Sequence, residues 1–197
     1  MPKLITPADT DPSFANALGR FVEAVVVLER TVETALMRLL PVTDEMGRVL
    51  LSGNMMRRNA EIMRALALLP DVPMTDELRQ KITEEFFPEI SAINDDRSKI
   101  LHNPALETDT PGTYGLVIHK SDAKNSSMMP ITAELLITRT NDAETLAWKI
   151  MMNIPSLEYD LSKWVKASPQ YPIKPYPKAQ QTNHQHHRAQ KKTSPKK

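Results

Sequence analysis

The sequence predicts a mainly α-helical fold, an antiparallel four-helix bundle with a small β-hairpin inserted between the third and fourth helices. Apolar residues recur every three or four positions in four long segments, which is the period of a helix with one buried face. Prolines end or interrupt these segments, and the stretch between the last two is rich in Thr, Val, Ile and Leu. The chain has 197 residues and no cysteine, so it can bury one core, while disulfides, thiolate metal sites and thiol nucleophiles are excluded.

The first helix is predicted to run from Asp11 to Leu40. Asp11 is suited to cap its N-terminus, Pro12 fits the first helical position, and Pro41 marks its end. One sustained apolar face consists of Phe14, Leu18, Phe21, Val25, Leu28, Val32, Ala35 and Leu39.

The second helix is predicted over Thr43 to Leu69, with Pro70 as its stop. One face is expected to lie in the core, and Gly53 on that face is interpreted as a point of close contact between helices. The residues of this face are Met46, Val49, Gly53, Met56, Ala60, Met63 and Ala67.

The third helix is predicted to start at Thr75, which can cap it, and to end at Pro104. Pro88 interrupts this segment, so we expect a kink or two shorter helices there. Arg97 falls on the same stripe as Leu78, Ile82, Phe86, Ile90, Ile93 and Ile100, and therefore occupies a position that faces the core.

Two β-rich stretches follow, Thr113 to Lys120 and Ile131 to Thr138, and turn-forming residues accompany them at 111–112 and 125–127. They predict the hairpin. The last helix is expected from about Thr140 to Trp164, bent in its middle by Pro155.

The sequence divides into an N-terminal lead at 1–11, the bundle at 12–165 and a basic tail at 166–197. The tail carries eight basic residues, no acidic residue and several prolines, a composition too polar to fold alone, so we expect it to be disordered. Residues 1–165 hold 17 basic and 24 acidic residues, a net charge of −7. The N-terminus lacks a signal-like pattern, and no apolar run reaches the roughly 18 residues of a membrane span, so a cytoplasmic protein without membrane contact is expected.

The polar stretch at 94–103 is the place where the sequence argues for chemistry. Arg97 and His102 lie at the end of a helix whose apolar period otherwise indicates burial, and burying such groups is costly unless something uses them. Histidine titrates near neutral pH, and a guanidinium matches phosphate oxygens in a planar, bidentate way.

Four residues separate Arg97 from His102, and the polar Ser98 follows the arginine directly. Such a motif at the end of the third helix of a four-helix pattern resembles the HEPN superfamily, over roughly Phe14 to Trp164. Many HEPN proteins are metal-independent endoribonucleases that act as dimers, with the Arg-His motifs of two subunits meeting in a shared cleft. The resemblance implies that His102 is the general acid or base, that Arg97 stabilises charge on the scissile phosphate, and that Ser98 orients one of them. It implies a homodimer, RNA as substrate, no cofactor and no metal, in a defence, toxin–antitoxin or stress-response system.

Five further residues are candidate RNA contacts. Lys99, Arg57 and Arg58, together with Arg64, are candidates for a local basic patch on the otherwise acidic body, and Lys191 and Lys192 belong to the tail.

Several alternatives stay open. Arg97 could pair with Glu29 or Glu33 inside the bundle, and His102 could simply cap its helix. The bundle could then be a catalytically inactive module for dimerisation or for binding a protein partner. A third possibility is an adaptor whose basic tail binds nucleic acid while the bundle only dimerises. The tail could also have no binding role and serve only to increase solubility.

Overall fold

The computed structural model describes residues 11–119 and 126–158, and the expected basic tail lies outside this part of the chain. The fold is mainly helical, with a small antiparallel sheet. Its elements are α1 (Pro12–Leu39), α2 (Asp44–Leu51), α3 (Met56–Leu68), α4 (Asp76–Gln80), a π-helical segment (Lys81–Phe86), α5 (Phe87–His102), β1 (Ala105–Glu107), β2 (Thr113–His119), β3 (Ser126–Thr132) and α6 (Ala133–Asn153).

The first helix confirms its predicted start and end. The Asp11 carboxylate accepts a hydrogen bond of 2.8 Å from the backbone N–H of Ser13, and Pro12 is the first helical residue. Hydrogen bonding to Ser13 holds the pKa of Asp11 below its usual value because it favours the ionised form. The predicted apolar face is buried along most of its length, with Phe21, Leu28 and Val32 fully inside.

The prediction of a single second helix is wrong, because the chain forms two helices, α2 and α3, with a break at 52–55. Gly53 has a φ of +80°, a left-handed conformation that glycine adopts without the steric cost that a Cβ brings. Apart from Gly53 and its two chain neighbours, no atom of the described residues lies within 4 Å of the place where its Cβ would be, so Gly53 forms a turn and not a close helix contact. The break also rotates α2 away from the expected face, leaving Met46 and Val49 exposed.

Two glycine-to-alanine changes are expected to have opposite effects on stability. Gly53→Ala should destabilise the fold by about 1 kcal/mol because alanine is strained at positive φ. Gly19→Ala should stabilise it by about 0.5–1 kcal/mol, since Gly19 is an exposed position inside α1 with open space for a methyl group. Urea unfolding of both variants measures the difference. A neutral or stabilising Gly53→Ala would contradict the assigned turn.

The third segment is helical from Asp76 to His102, as predicted, and Thr75 caps it by accepting a hydrogen bond of 3.2 Å from the N–H of Leu78. The irregularity expected at Pro88 is a π-helical turn on its N-terminal side. Pro88 has no N–H to donate, and its ring would crowd the carbonyl four residues earlier in a regular α-helix. In the preceding turn, the Phe87 N–H bonds to the carbonyl of Ile82, five residues back, which is the π-helical pattern.

The sheet differs from the predicted hairpin, since it has three strands in the order β1-β2-β3. The first predicted strand is confirmed as β2, but a strand over Ile131 to Thr138 is wrong. Thr132 ends β3 and caps α6, accepting a hydrogen bond of 3.2 Å from the N–H of Leu135. The residues that follow favour a helix, so α6 begins about seven residues earlier than predicted and ends before Pro155. Trp164 lies outside the described residues.

The helix directions depart from a simple antiparallel bundle. Both α1 and α6 begin beside Tyr114 of β2, whose hydroxyl accepts from the Asp11 N–H and whose backbone pairs with Ile131 just before α6. Both end together, where Arg38 donates to the carbonyl of Ile154 at 3.1 Å. Thus α1 and α6 run in the same direction.

The helix α5 runs antiparallel to α6. Asp96 contacts Arg139 near one end, Lys149 forms ion pairs with Glu85 and Glu89 further along, and Lys81 donates to Asn153 at the other end. The Glu85 carboxylate, with a smaller contribution from Glu89, raises the pKa of Lys149. These ion pairs and this hydrogen bond place the end of α5 beside the start of α6 and next to the sheet.

Candidate functional site

The last two turns of α5 carry Arg97, Ser98, Lys99 and His102. The helix ends at His102, and the Asn103 side chain closes it by donating a hydrogen bond of 2.8 Å to the Lys99 carbonyl. Asn103 itself is extended, as expected for the residue before a proline. The local sequence therefore fixes where the motif-bearing helix stops.

Arg97 is half-buried, and its guanidinium makes no hydrogen bond or ion pair with the residues that the structure describes. The other half-buried cations of the described chain each have a protein partner, unlike Arg97. They are Arg38, Arg79, Lys81, Lys99, Arg139 and Lys149. The Arg97 guanidinium therefore retains its five N–H donors for a carboxylate or phosphate.

The alternative partners considered for Arg97 are not bonded to it within the described chain. The Glu29 carboxylate instead accepts a hydrogen bond of 3.2 Å from the backbone N–H of Met56, and so caps the first turn of α3. Glu33 makes no ion pair within the same region. The expectation of a deep, core-facing position is also too strong, since Arg97 is only half-buried.

His102 is exposed and Ser98 is half-buried. The helix stays α-helical through His102, so its last turn does not unwind to bring the histidine toward Arg97. Five residues of regular helix separate two side chains by about 140° around the axis. One chain therefore presents Arg97 and His102 on different sides of α5.

Asp96 lies next to Arg97 and ties α5 to α6. Its carboxylate contacts Arg139 Nε at 2.9 Å and Lys99 Nζ at 3.8 Å, and its side chain is only 17% exposed. Arg139 contacts a second carboxylate, that of Asp142, at 3.1 Å. Lys99, a candidate RNA contact, is thus partly neutralised by its own helix.

The other candidate RNA contacts lie elsewhere. Arg57 and Arg58 are exposed on α3, and both form ion pairs with Glu61 at 3.3 and 3.5 Å. Such exposed pairs within one helix are weak, so the two arginines stay accessible to an anion. Lys191 and Lys192 lie outside the described residues.

Sequence reasoning missed Arg139 and gave Asp96 no role. Asp96 stands beside the motif, but a carboxylate in a polar stretch carries no specific signal. Arg139 was placed at the border between an expected strand and an expected helix, where no helical face could be assigned. In the described chain, no three His, Asp or Glu side chains come together as metal ligands, and no helix has the length and apolar character to cross a membrane.

No protein-family model matches the chain, and neither a curated protein nor a solved structure gives a match.

Proposed function

We propose that this protein is a HEPN-like, metal-independent endoribonuclease that acts as a homodimer. The observation that carries the proposal is the Arg97 guanidinium, a half-buried cation without a protein partner in the described chain, on the same two helical turns as an exposed histidine. A guanidinium without a partner in the described chain keeps its N–H donors available for an anion. A phosphodiester is an anion of suitable shape for it.

The two side chains fit the chemistry of RNA cleavage. A neutral imidazole at His102 accepts the proton of a ribose 2′-hydroxyl, the 2′-oxygen attacks phosphorus, and the 5′-oxygen leaves with a proton from an imidazolium. The products are a 2′,3′-cyclic phosphate and a 5′-hydroxyl. Arg97 stabilises the charge that builds on the phosphate oxygens, and Ser98 orients one of the two groups.

The angle between the side chains supports a dimer. Because Arg97 and His102 are about 140° apart on a regular helix, a site that needs both on one phosphate is completed most simply by two chains. A two-fold axis beside the end of α5 would bring Arg97 of one protomer toward the imidazole of the other. It would also supply two imidazoles, one for each proton transfer.

Substrate affinity requires more positive charge than the body supplies. Residues 1–165 carry a net charge of −7, while the tail at 166–197 carries eight basic residues. We infer that the tail, with Lys191 and Lys192, adds electrostatic affinity for RNA and that Lys99, Arg57 and Arg58 contribute local contacts. The affinity for RNA should therefore fall steeply as the salt concentration rises.

The test is incubation of the purified full chain with mixed cellular RNA in excess chelator, followed by identification of the product ends. Cyclic 2′,3′-phosphate ends support the proposed reaction. Products with 5′-phosphate ends, or an absolute need for a divalent cation, would contradict it.

A second candidate function is supported by a separate observation. The short helix α2 turns its apolar side chains outward, with Met46, Val49 and Leu50 all more than half exposed, and Met55 beside it is also exposed. Such a group of exposed apolar side chains is typical of surfaces that bind other proteins. In this alternative the fold is a catalytically inactive interaction module, and the metal-free RNA assay shows no cleavage.

A further inference from the structure

Near its end, α5 packs Ile93 and Ile100 into the core and makes a polar contact with α6 through the residue that precedes Arg97. Asp96 faces α6, where its carboxylate lies 2.9 Å from Arg139 Nε. The Asp96 side chain is 17% exposed, whereas the carboxylates of the ion pairs that do not involve Asp96 in the described chain are 39–76% exposed. The Arg139 side chain is 41% exposed, so the shielded group of this pair is the carboxylate. Arg139 also contacts the more exposed Asp142 at 3.1 Å, one turn along α6.

Helix geometry links this contact to both motif side chains. Each residue advances about 100° around the axis, so Arg97 points about 100° to one side of Asp96, and His102 about 120° to the other. The direction of Asp96 therefore sets the direction of both groups. At a helix radius of 5–6 Å, a rotation of about 10° moves a side-chain group by about 1 Å.

We propose that Asp96 and Arg139 are positioning residues, which fix the rotation of the last two turns of α5 and thereby aim Arg97 and His102. The inference rests on the proposed function for its catalytic consequence. The geometric part, that the ion pair orders the end of α5, stands independently of any activity. Neither residue needs to touch the substrate for this role.

Four variants of the full chain separate this role from a general loss of stability. Asp96→Asn and Arg139→Gln remove the ion pair, and Arg139→Lys keeps a cation that can partly restore it. Asp142→Asn is the matched control, because it removes a carboxylate from Arg139 without removing the contact between α5 and α6.

The first readout is amide hydrogen exchange, which needs no substrate. In Asp96→Asn and Arg139→Gln, exchange of the amides at 99–103 should accelerate by about tenfold or more, while core amides of α1 keep their native rates. Arg139→Lys should recover at least part of the protection, and Asp142→Asn should match the native protein. Unchanged exchange at 99–103, or equal acceleration throughout the fold, would overturn the proposal.

The second readout is RNA cleavage. Misplacing the two groups by about 1 Å should lower kcat by about tenfold or more in both Asp96→Asn and Arg139→Gln. KM should stay within about twofold of native in Arg139→Gln, which leaves the contact between Asp96 and Lys99 in place. A rise in KM at constant kcat would instead make Arg139 a binding residue and overturn the positioning role. If the native protein does not cleave RNA, the proposed function fails, and the exchange data still decide whether the pair orders the helix end.

Discussion

Replacing Arg97 by alanine is expected to lower RNA cleavage by about 100-fold or more while changing the free energy of unfolding by less than about 1 kcal/mol. The structural reason is the absence of any hydrogen bond or ion pair from its guanidinium within the described chain. A side chain without such a bond contributes mainly the packing of its methylenes to stability. Its charge is therefore available to an anion such as a phosphate.

The measurement combines single-turnover cleavage with urea unfolding of the same preparations. Arg20→Ala is a suitable control, because Arg20 is an exposed and unpaired arginine of α1 in the described region. It should leave cleavage within about twofold of native and stability within about 0.5 kcal/mol. A loss of 3–5 kcal/mol in Arg97→Ala would indicate a buried ion pair and contradict the proposed role.

The largest effect on stability is expected at Arg79, near the start of the helical segment whose other end carries the motif. Its guanidinium donates to the backbone carbonyls of Ala67, Leu69, Pro70 and Val72, the first two at 2.7 and 2.6 Å. These carbonyls terminate α3 and form the loop to α4, where no further helical N–H is available. Arg79→Ala should therefore destabilise the fold by about 2–4 kcal/mol.

Thermal unfolding followed by circular dichroism measures this change, and for a domain of this size each kcal/mol lowers Tm by about 2–4 °C. Arg79→Lys is the informative companion, since a single ammonium cannot reach four carbonyls at once and should restore only part of the stability. Equal stabilities of Arg79→Ala and the native protein would show that the loop does not depend on this side chain.

Local signals in the sequence were enough to locate several element boundaries. Asp11 with Pro12 predicted the start of α1, Thr75 the start of α4, and Pro104 the end of α5. Each of these signals acts through the backbone of its immediate neighbours, by a capping hydrogen bond or a missing N–H. The mainly helical class could also be predicted, because the apolar period of a helix repeats within a few residues of sequence.

The break between α2 and α3 could not be read from periodicity. The apolar spacing continues through Gly53, so a pattern of side chains gives no sign that the backbone turns there with a positive φ. The segment Ile131 to Thr138 has a high strand propensity, but most of it is helical in the structure. The cap at Thr132 and the packing of α6 on α1 outweigh that propensity.

The relation between helices was also beyond local reasoning. Short connections predicted antiparallel neighbours, but α2 and the loop after it change the path of the chain, and α1 ends up parallel to α6. The same limit applies to the candidate site. The motif at Arg97 and His102 is local, whereas the contact between Asp96 and Arg139 exists only once α5 and α6 pack together.

The most direct test of the proposed function is metal-free cleavage of RNA by the native protein and by His102→Ala, matched for folding and oligomeric state. His102 is exposed at the end of α5, so its replacement should leave the fold intact. We expect the native protein to cleave in excess chelator and His102→Ala to lose at least about 100-fold of that activity. Equal cleavage by the two proteins would contradict a catalytic His102, and no cleavage by either would favour the interaction module.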